Sequence, residues 1–167
     1  MTIKTSSRKN KLRGVRAQAL VEFSIALPVL IVMLVGIMEV GRMIVTYALV
    51  NNASRDAVRY ASAVGIGDDT YYKYKNCVGI SNIAKKSAFI VTLSSISISY
   101  KDELGNSAGV CDRTTVGEDD VTVDSNYRVT VTVQASYKPV INLIPISQRT
   151  FTATSTRTIL GILKLDN

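Results

Sequence analysis

Between Arg13 and Arg42 the chain reads RGVRAQALVEFSIALPVLIVMLVGIMEVGR. A basic segment runs into an apolar one, and a lone carboxylate, Glu22, stands at the mouth of the apolar run. From Phe23 to Met38 no residue is charged. With Gln18–Val21 in front and Val40–Gly41 behind, the span is about 20 residues, enough for one bilayer crossing as a helix. Pro28 lies inside the span. It removes one backbone donor and frees a carbonyl near Ser24, so a bend or local melting of the helix is expected there.

Charge placement gives the orientation. Residues 1–17 hold Lys4, Arg8, Lys9, Lys11, Arg13 and Arg16 and no acid, which is +6 of the net +7. The remaining 14 basic and 13 acidic residues leave only +1. A basic cluster abutting an apolar helix is the positive-inside signature, with the cluster on the cytoplasmic side. A basic arm for nucleic acid is the rival reading of such a run. The closeness of the apolar segment argues against it. A removed secretory signal is a second rival. Its core is usually shorter and ends at small residues, whereas here Met38-Glu39-Val40-Gly41-Arg42 follows and the helical pattern continues.

The two carboxylates flanking the span have local explanations. Glu39 can pair with Arg42 at i,i+3. Glu22 lies four residues after Gln18, near the helix start, where the dipole favours a negative charge. Carboxylates so close to hydrocarbon are costly and usually functional. Beyond the membrane, Tyr47, Val50, Ser54, Ala57, Val58, Ala61 and Val64 recur at spacings of three and four. Ala53, Ala57 and Ala61 form a small-residue stripe that permits close packing. Arg55 and Arg59 share a face near Asp56, and Gly65 and Gly67 end the helix.

The chain after Gly67 is polar and β-rich. A short helix is expected over Ile80–Ser87. Strands are expected over Phe89–Lys101, Tyr127–Val140 and Arg149–Leu160, where β-branched residues alternate with Ser and Thr. Asp102–Asp124 reads as a loop. Pro139 and Pro145 bracket VINLI, an apolar loop or short strand. The fold class is therefore α+β: a long, partly transmembrane N-terminal helix packed on a small, mainly antiparallel sheet. The expected organisation is a basic cytoplasmic leader (1–17), a transmembrane helix (18–41), an extracytoplasmic continuation of the helix (42–66) and an extracytoplasmic β-rich domain (67–167).

The chain contains no histidine. This removes the commonest general base and the commonest zinc ligand. Glu22 and Glu39 are about 25 Å apart on a helix, too far for paired acid–base work. No catalytic centre, metal or cofactor is expected. The acidic group Glu118, Asp119, Asp120 and Asp124 could offer oxygen ligands to calcium, but its spacing is not that of an EF-hand loop. Cys77 and Cys111 are the only cysteines. Outside the cytoplasm they can pair, and the alternative is two free thiols.

Four segments carry a resemblance: Gln18–Phe23 (QALVEF), Leu27–Pro28, Gly36–Arg42 (GIMEVGR) and Asn52–Ala63 (NASRDAVRYASA). Together the first 65 residues resemble the TadE-like family of tight-adherence pilus proteins. The resemblance implies a type IV pilin-like fold and a structural, adhesive role in a pilus. It further implies cleavage by a prepilin peptidase that leaves glutamate fifth in the mature chain. Counting back from Glu22 puts that cut between Ala17 and Gln18. The usual residue before the cut is glycine, and this chain has Ala17 there. Glu22 would then neutralise the amine of Gln18 in a neighbouring subunit, with Phe23 and Pro28 in the assembling helix. The implied partners are membrane lipid, the peptidase, other pilin subunits and the assembly machinery, without nucleic acid. The implied location is the cytoplasmic membrane, with the β domain outside, and the extracellular filament after assembly. The alternative is an uncleaved single-pass scaffold of the envelope.

Overall fold

The computed structural model describes residues 8–67, 72–111, 123, 126–140 and 147–160. It contains a long helix α1 (Arg8–Ser62), a short helix α2 (Cys77–Ser87) and four strands. These are β1 (Leu93–Lys101), β2 (Ser107–Val110), β3 (Arg128–Tyr137) and β4 (Arg149–Thr158). The chain divides into two compact units, Met1–Arg42 and Met43–Asn167, with α1 running through both. The structure is α+β, as the patterning predicts.

α1 starts at Arg8, inside the basic segment, rather than at Gln18. Nothing between Arg8 and Ala17 breaks a helix: Lys, Arg, Leu and Ala are good helix formers, and one Gly is a modest cost. The helix also continues through Pro28 without a break. The melting expected there does not occur, because a proline removes only one ladder bond and the flanking apolar turns keep theirs.

The second unit is built by period-2 strands against the C-terminal part of α1. Along β3, Val129, Val131, Val133, Ala135 and Tyr137 are buried, while Thr130, Thr132 and Gln134 are only half-buried. Along β1, Ile96, Ile98 and Tyr100 are buried on the same face. Val50, Ala53, Ala57, Val58 and Ala61 of α1 and Ile80 and Ala84 of α2 complete one apolar core with them. Each buried Val or Ile side chain contributes about 1.5–3 kcal/mol. Tyr47 and Val64, expected on the packed face, are about half exposed. They bound the contact at either end, and Tyr47 meets the Phe151 ring edge-on at 6.0 Å.

The sheet order is β2-β1-β3-β4, all antiparallel. β2 falls inside the stretch read from sequence as a loop. Four residues, SAGV, carry too little alternation to announce a strand, and pairing to β1 supplies what propensity does not. The turn joining them is held by Asp102, whose carboxylate accepts from the Asn106 backbone N–H at 2.7 Å and from Asn106 Nδ2 at 3.0 Å. The Asn106 side chain holds the Asp102 carboxyl below the usual carboxylate range. Gly105 sits at φ +87°, which only glycine adopts without strain. β1 begins at Leu93, not Phe89, since Phe89 and Ile90 lie in the turn after α2. β3 and β4 end at Tyr137 and Thr158, short of the expected Val140 and Leu160. The outward face is hydroxylic: Thr130 pairs with Thr156 at 2.9 Å and Thr132 with Thr154 at 3.0 Å. Such cross-strand pairs fix register.

α2 begins at Cys77, three residues before the expected start. Asn76 caps it, with Oδ1 accepting from the Gly79 N–H at 2.6 Å. A Cβ at Gly79 would lie 2.8 Å from the Asn76 side chain and would displace the cap. Cys77 and Cys111 form a disulfide with Cα atoms 5.8 Å apart, tying the start of α2 to the end of β2. Tyr100 lies beside it. Its hydroxyl donates to the Tyr74 carbonyl and approaches Cys111 Sγ at 3.2 Å. Burial, aided by Tyr74, pushes the Tyr100 phenol above its ordinary range. VINLI, apart from Val140, and the acids Glu118, Asp119, Asp120 and Asp124 lie outside the described residues.

Two outcomes follow from this core. Ala57→Leu should cost about 1–3 kcal/mol by overpacking the helix against the sheet, read as a lower urea midpoint of the detergent-solubilised chain. Replacing both Cys77 and Cys111 by Ser should cost about 3.5 kcal/mol for a loop of this length. An unchanged midpoint in either case would contradict the packing described.

Candidate assembly site

The apolar run of α1 consists of side chains with nothing over them. Leu20, Phe23, Ile25, Val29, Leu30, Met33, Ile37 and Met38 are all exposed in the first unit. The most apolar window of the helix has a mean hydropathy of 2.5 and is 0% buried. The helix is long and apolar enough to cross a membrane. Apart from the one carbonyl near Ser24 that Pro28 cannot bond, its backbone groups can be satisfied within the helix, which is what hydrocarbon demands. A surface this apolar needs lipid or another chain against it.

The polar groups in the run are few and are engaged along the same helix. Glu22 Oε1 accepts from Gln18 Nε2 at 3.3 Å, one turn earlier, and both side chains are exposed. Ser24 Oγ donates to the Val21 carbonyl at 2.8 Å. Glu39 Oε2 accepts from Arg42 Nη1 at 3.0 Å, with the Glu39 side chain 2% exposed and that of Arg42 42%. This is the i,i+3 geometry read from the sequence. A carboxylate that deep is tolerable because the guanidinium bonds it directly.

The structure thus puts Gln18, Glu22 and Phe23 on one exposed stretch of helix, with Pro28 about a turn and a half further on. Glu39 and Arg42 form a separate pair about 25 Å along the helix from Glu22. Gln18–Glu22 and Glu39–Arg42 do not converge on one centre. Ala17 lies within the helical backbone. Cys77 and Cys111 belong to the sheet unit and to its stability. Among the described residues no group of three or more Cys, Asp or Glu is placed to hold a metal ion.

Arg55 and Arg59 share a helix face near Asp56, as their spacing predicts. They line a cleft of about 500 Å³ in the second unit, facing Ser155, Thr156 and Arg157 of β4. That Arg59 and Arg157 line one cleft could not be found from sequence, since the two residues are 98 positions apart and share it only through the placement of β4.

The chain matches no curated protein and no solved structure. The family model described as TadE-like protein matches residues 17–59, from the start of the apolar run to Arg59, so this segment of α1 is similar to that family.

Proposed function

We propose that the chain is a pilin-like structural subunit of a tight-adherence pilus. The observation that carries this reading is Glu22. It is the carboxylate at the mouth of an uncovered apolar helix, four residues after Gln18, within the TadE-like segment. Inserted with its basic leader in the cytoplasm and its sheet unit outside, the chain presents Ala17–Gln18 at the membrane face to a prepilin peptidase. Hydrolysis there frees the amine of Gln18. In a growing filament that amine meets Glu22 of the neighbouring subunit. The pair offsets the cost of placing either charge among apolar helices and sets the axial register between subunits. The apolar faces around Phe23 and Pro28 then exchange lipid for other helices, and the sheet units lie outside as the surface that attaches. No step in this role calls for a cofactor or a catalytic group.

One observation favours a second reading, an uncleaved scaffold of the pilus or envelope machinery. α1 runs from Arg8 through Gln18 without interruption. A peptidase needs extended backbone at the bond it cuts, so the turn around Ala17 must open first. If it does not, the chain stays anchored by its whole helix and holds other envelope proteins in place.

Replacing Glu22 with Ala separates assembly from insertion. The variant should reach the membrane in normal amounts and yield no filaments in the sheared surface fraction. Normal filaments from Glu22→Ala would remove the proposed role of this carboxylate.

A further inference from the structure

The second unit differs from one end to the other. α1 enters it at Met43 and runs beside β4 in the same direction. Tyr47 meets Phe151, Ser54 Oγ meets Ser155 Oγ at 2.9 Å, and the Ser62 carbonyl accepts from the Leu160 N–H at 3.4 Å. Phe151 pairs with Ala135, and Ala135 with Leu93. The start of β1, the end of β3 and the start of β4 therefore lie at the end where α1 enters. The turn that leads into β1 lies at that end too. It is closed by the Val91 N–H, which donates to the carbonyl of the buried Ala88 at 2.8 Å. Its two central residues are Phe89 and Ile90, which are 77% and 68% exposed. Turn centres are normally Gly, Pro, Asn, Asp or Ser. Two adjacent large apolar side chains held outward on a hydrogen-bonded turn mark a contact surface.

The charges around this turn are of one sign. Lys85 and Lys86 stand in the last turn of α2, just before it. Lys138 follows β3, and Arg149 opens β4 opposite Tyr137. All four are exposed, and none is in an ion pair among the described residues. The sequence holds no acid from Cys77 to Lys101 or from Ser125 to Leu160. On α1, Asp56 already accepts from Ser87 Oγ at 2.7 Å. Asp102 and Glu103 stand at the other end of β1, in the turn to β2. An apolar pair rimmed by basic side chains suits an anionic phospholipid layer. The apolar pair enters the boundary between headgroups and acyl chains, and the ammonium and guanidinium groups meet phosphates. The chain itself points to lipid as the occupant, since Met43 follows directly on a span long and apolar enough to cross a membrane. We propose that this end of the second unit rests on an anionic phospholipid surface, with Phe89 and Ile90 inserted and Lys85, Lys86, Lys138 and Arg149 over the headgroups. The contact rests on the reading that α1 spans the membrane. It adds a second attachment, made by the sheet unit, which assembly into a filament must release.

The chain has no tryptophan, so one introduced indole reports its own surroundings. Three single variants of the full-length chain are placed in vesicles of mixed neutral and anionic phospholipids brominated in their acyl chains. Leu30→Trp lies in the apolar span and Phe89→Trp on the turn. Leu104→Trp, at an 88% exposed position, lies at the opposite end of the sheet. The expected result is blue-shifted emission, quenched by the bromines, from Leu30→Trp and Phe89→Trp. Leu104→Trp should emit to the red and be quenched by aqueous acrylamide. Adding Lys85→Glu and Lys86→Glu to Phe89→Trp should move its emission to the red and reduce its quenching by lipid. Phe89→Trp emission as red and as open to acrylamide as that of Leu104→Trp would overturn the contact. So would an indole shielded from acrylamide yet untouched by the bromines, which would put a protein partner there instead. No response to the two lysine replacements would overturn the assignment to anionic headgroups. Quenching of Leu30→Trp by the bromines shows the span inserted, so a failure at Phe89 is then separate from a failure of the span. Its absence would remove the span and the contact with it.

Discussion

The fold of the second unit depends on how closely α1 can approach the sheet. Ala53, Ala57 and Ala61 are fully buried and carry no bulk beyond Cβ. The β-branched rows of β1 and β3 fill the space that larger helix residues would have taken. Val50 and Val58 flank the stripe and add area. The sheet has one apolar face and one face of paired threonines, so only one side needs a cover. α1 supplies most of it, α2 closes one end, and the disulfide fixes α2 to the strand that pairs with β1. A larger residue in the stripe would lift the helix and open every contact beneath it.

The first unit follows the opposite rule. Along Gln18–Arg42 the helix keeps its large apolar side chains outside, where lipid or other helices must meet them. Its charged residues are then the informative ones. Glu39 is accounted for by Arg42 on the next turn. Among the described residues Glu22 has only the amide of Gln18, a neutral partner, and this asymmetry singles it out. Among the described residues no cation stands beside this carboxylate at the edge of the apolar run, which is why the proposed role is assigned to it.

Much of this was legible in the sequence, and for reasons that can be named. The apolar span announces itself by its uncharged length, the helix continuation with its alanine stripe by spacings of three and four, strands β1 and β3 by their period of 2, and β4, less cleanly, by its alternating threonines. Glu39 and Arg42 announce their pairing by spacing. β2 was not legible, because Ser107–Val110 is too short and too glycine-rich to alternate, and its pairing comes from Ser99 to Lys101 across the turn. The start of α1 at Arg8 was missed because the charge pattern marks a topological boundary, whereas helix propensity carries through it. The arginine cleft was half legible. Arg55 and Arg59 share a helix face by spacing, but Arg157 joins them only through tertiary register, which one sequence does not encode locally.

The proposed role of Glu22 turns on whether the bond between Ala17 and Gln18 is cut. The most direct measurement is the N-terminal sequence of the protein isolated from membranes and from sheared filaments. A chain beginning at Gln18 is the predicted result, since it places a free amine four residues before Glu22 and within reach of the next subunit's carboxylate. A chain that retains residues 1–17 would contradict the pairing and leave an anchored scaffold as the role of this helix.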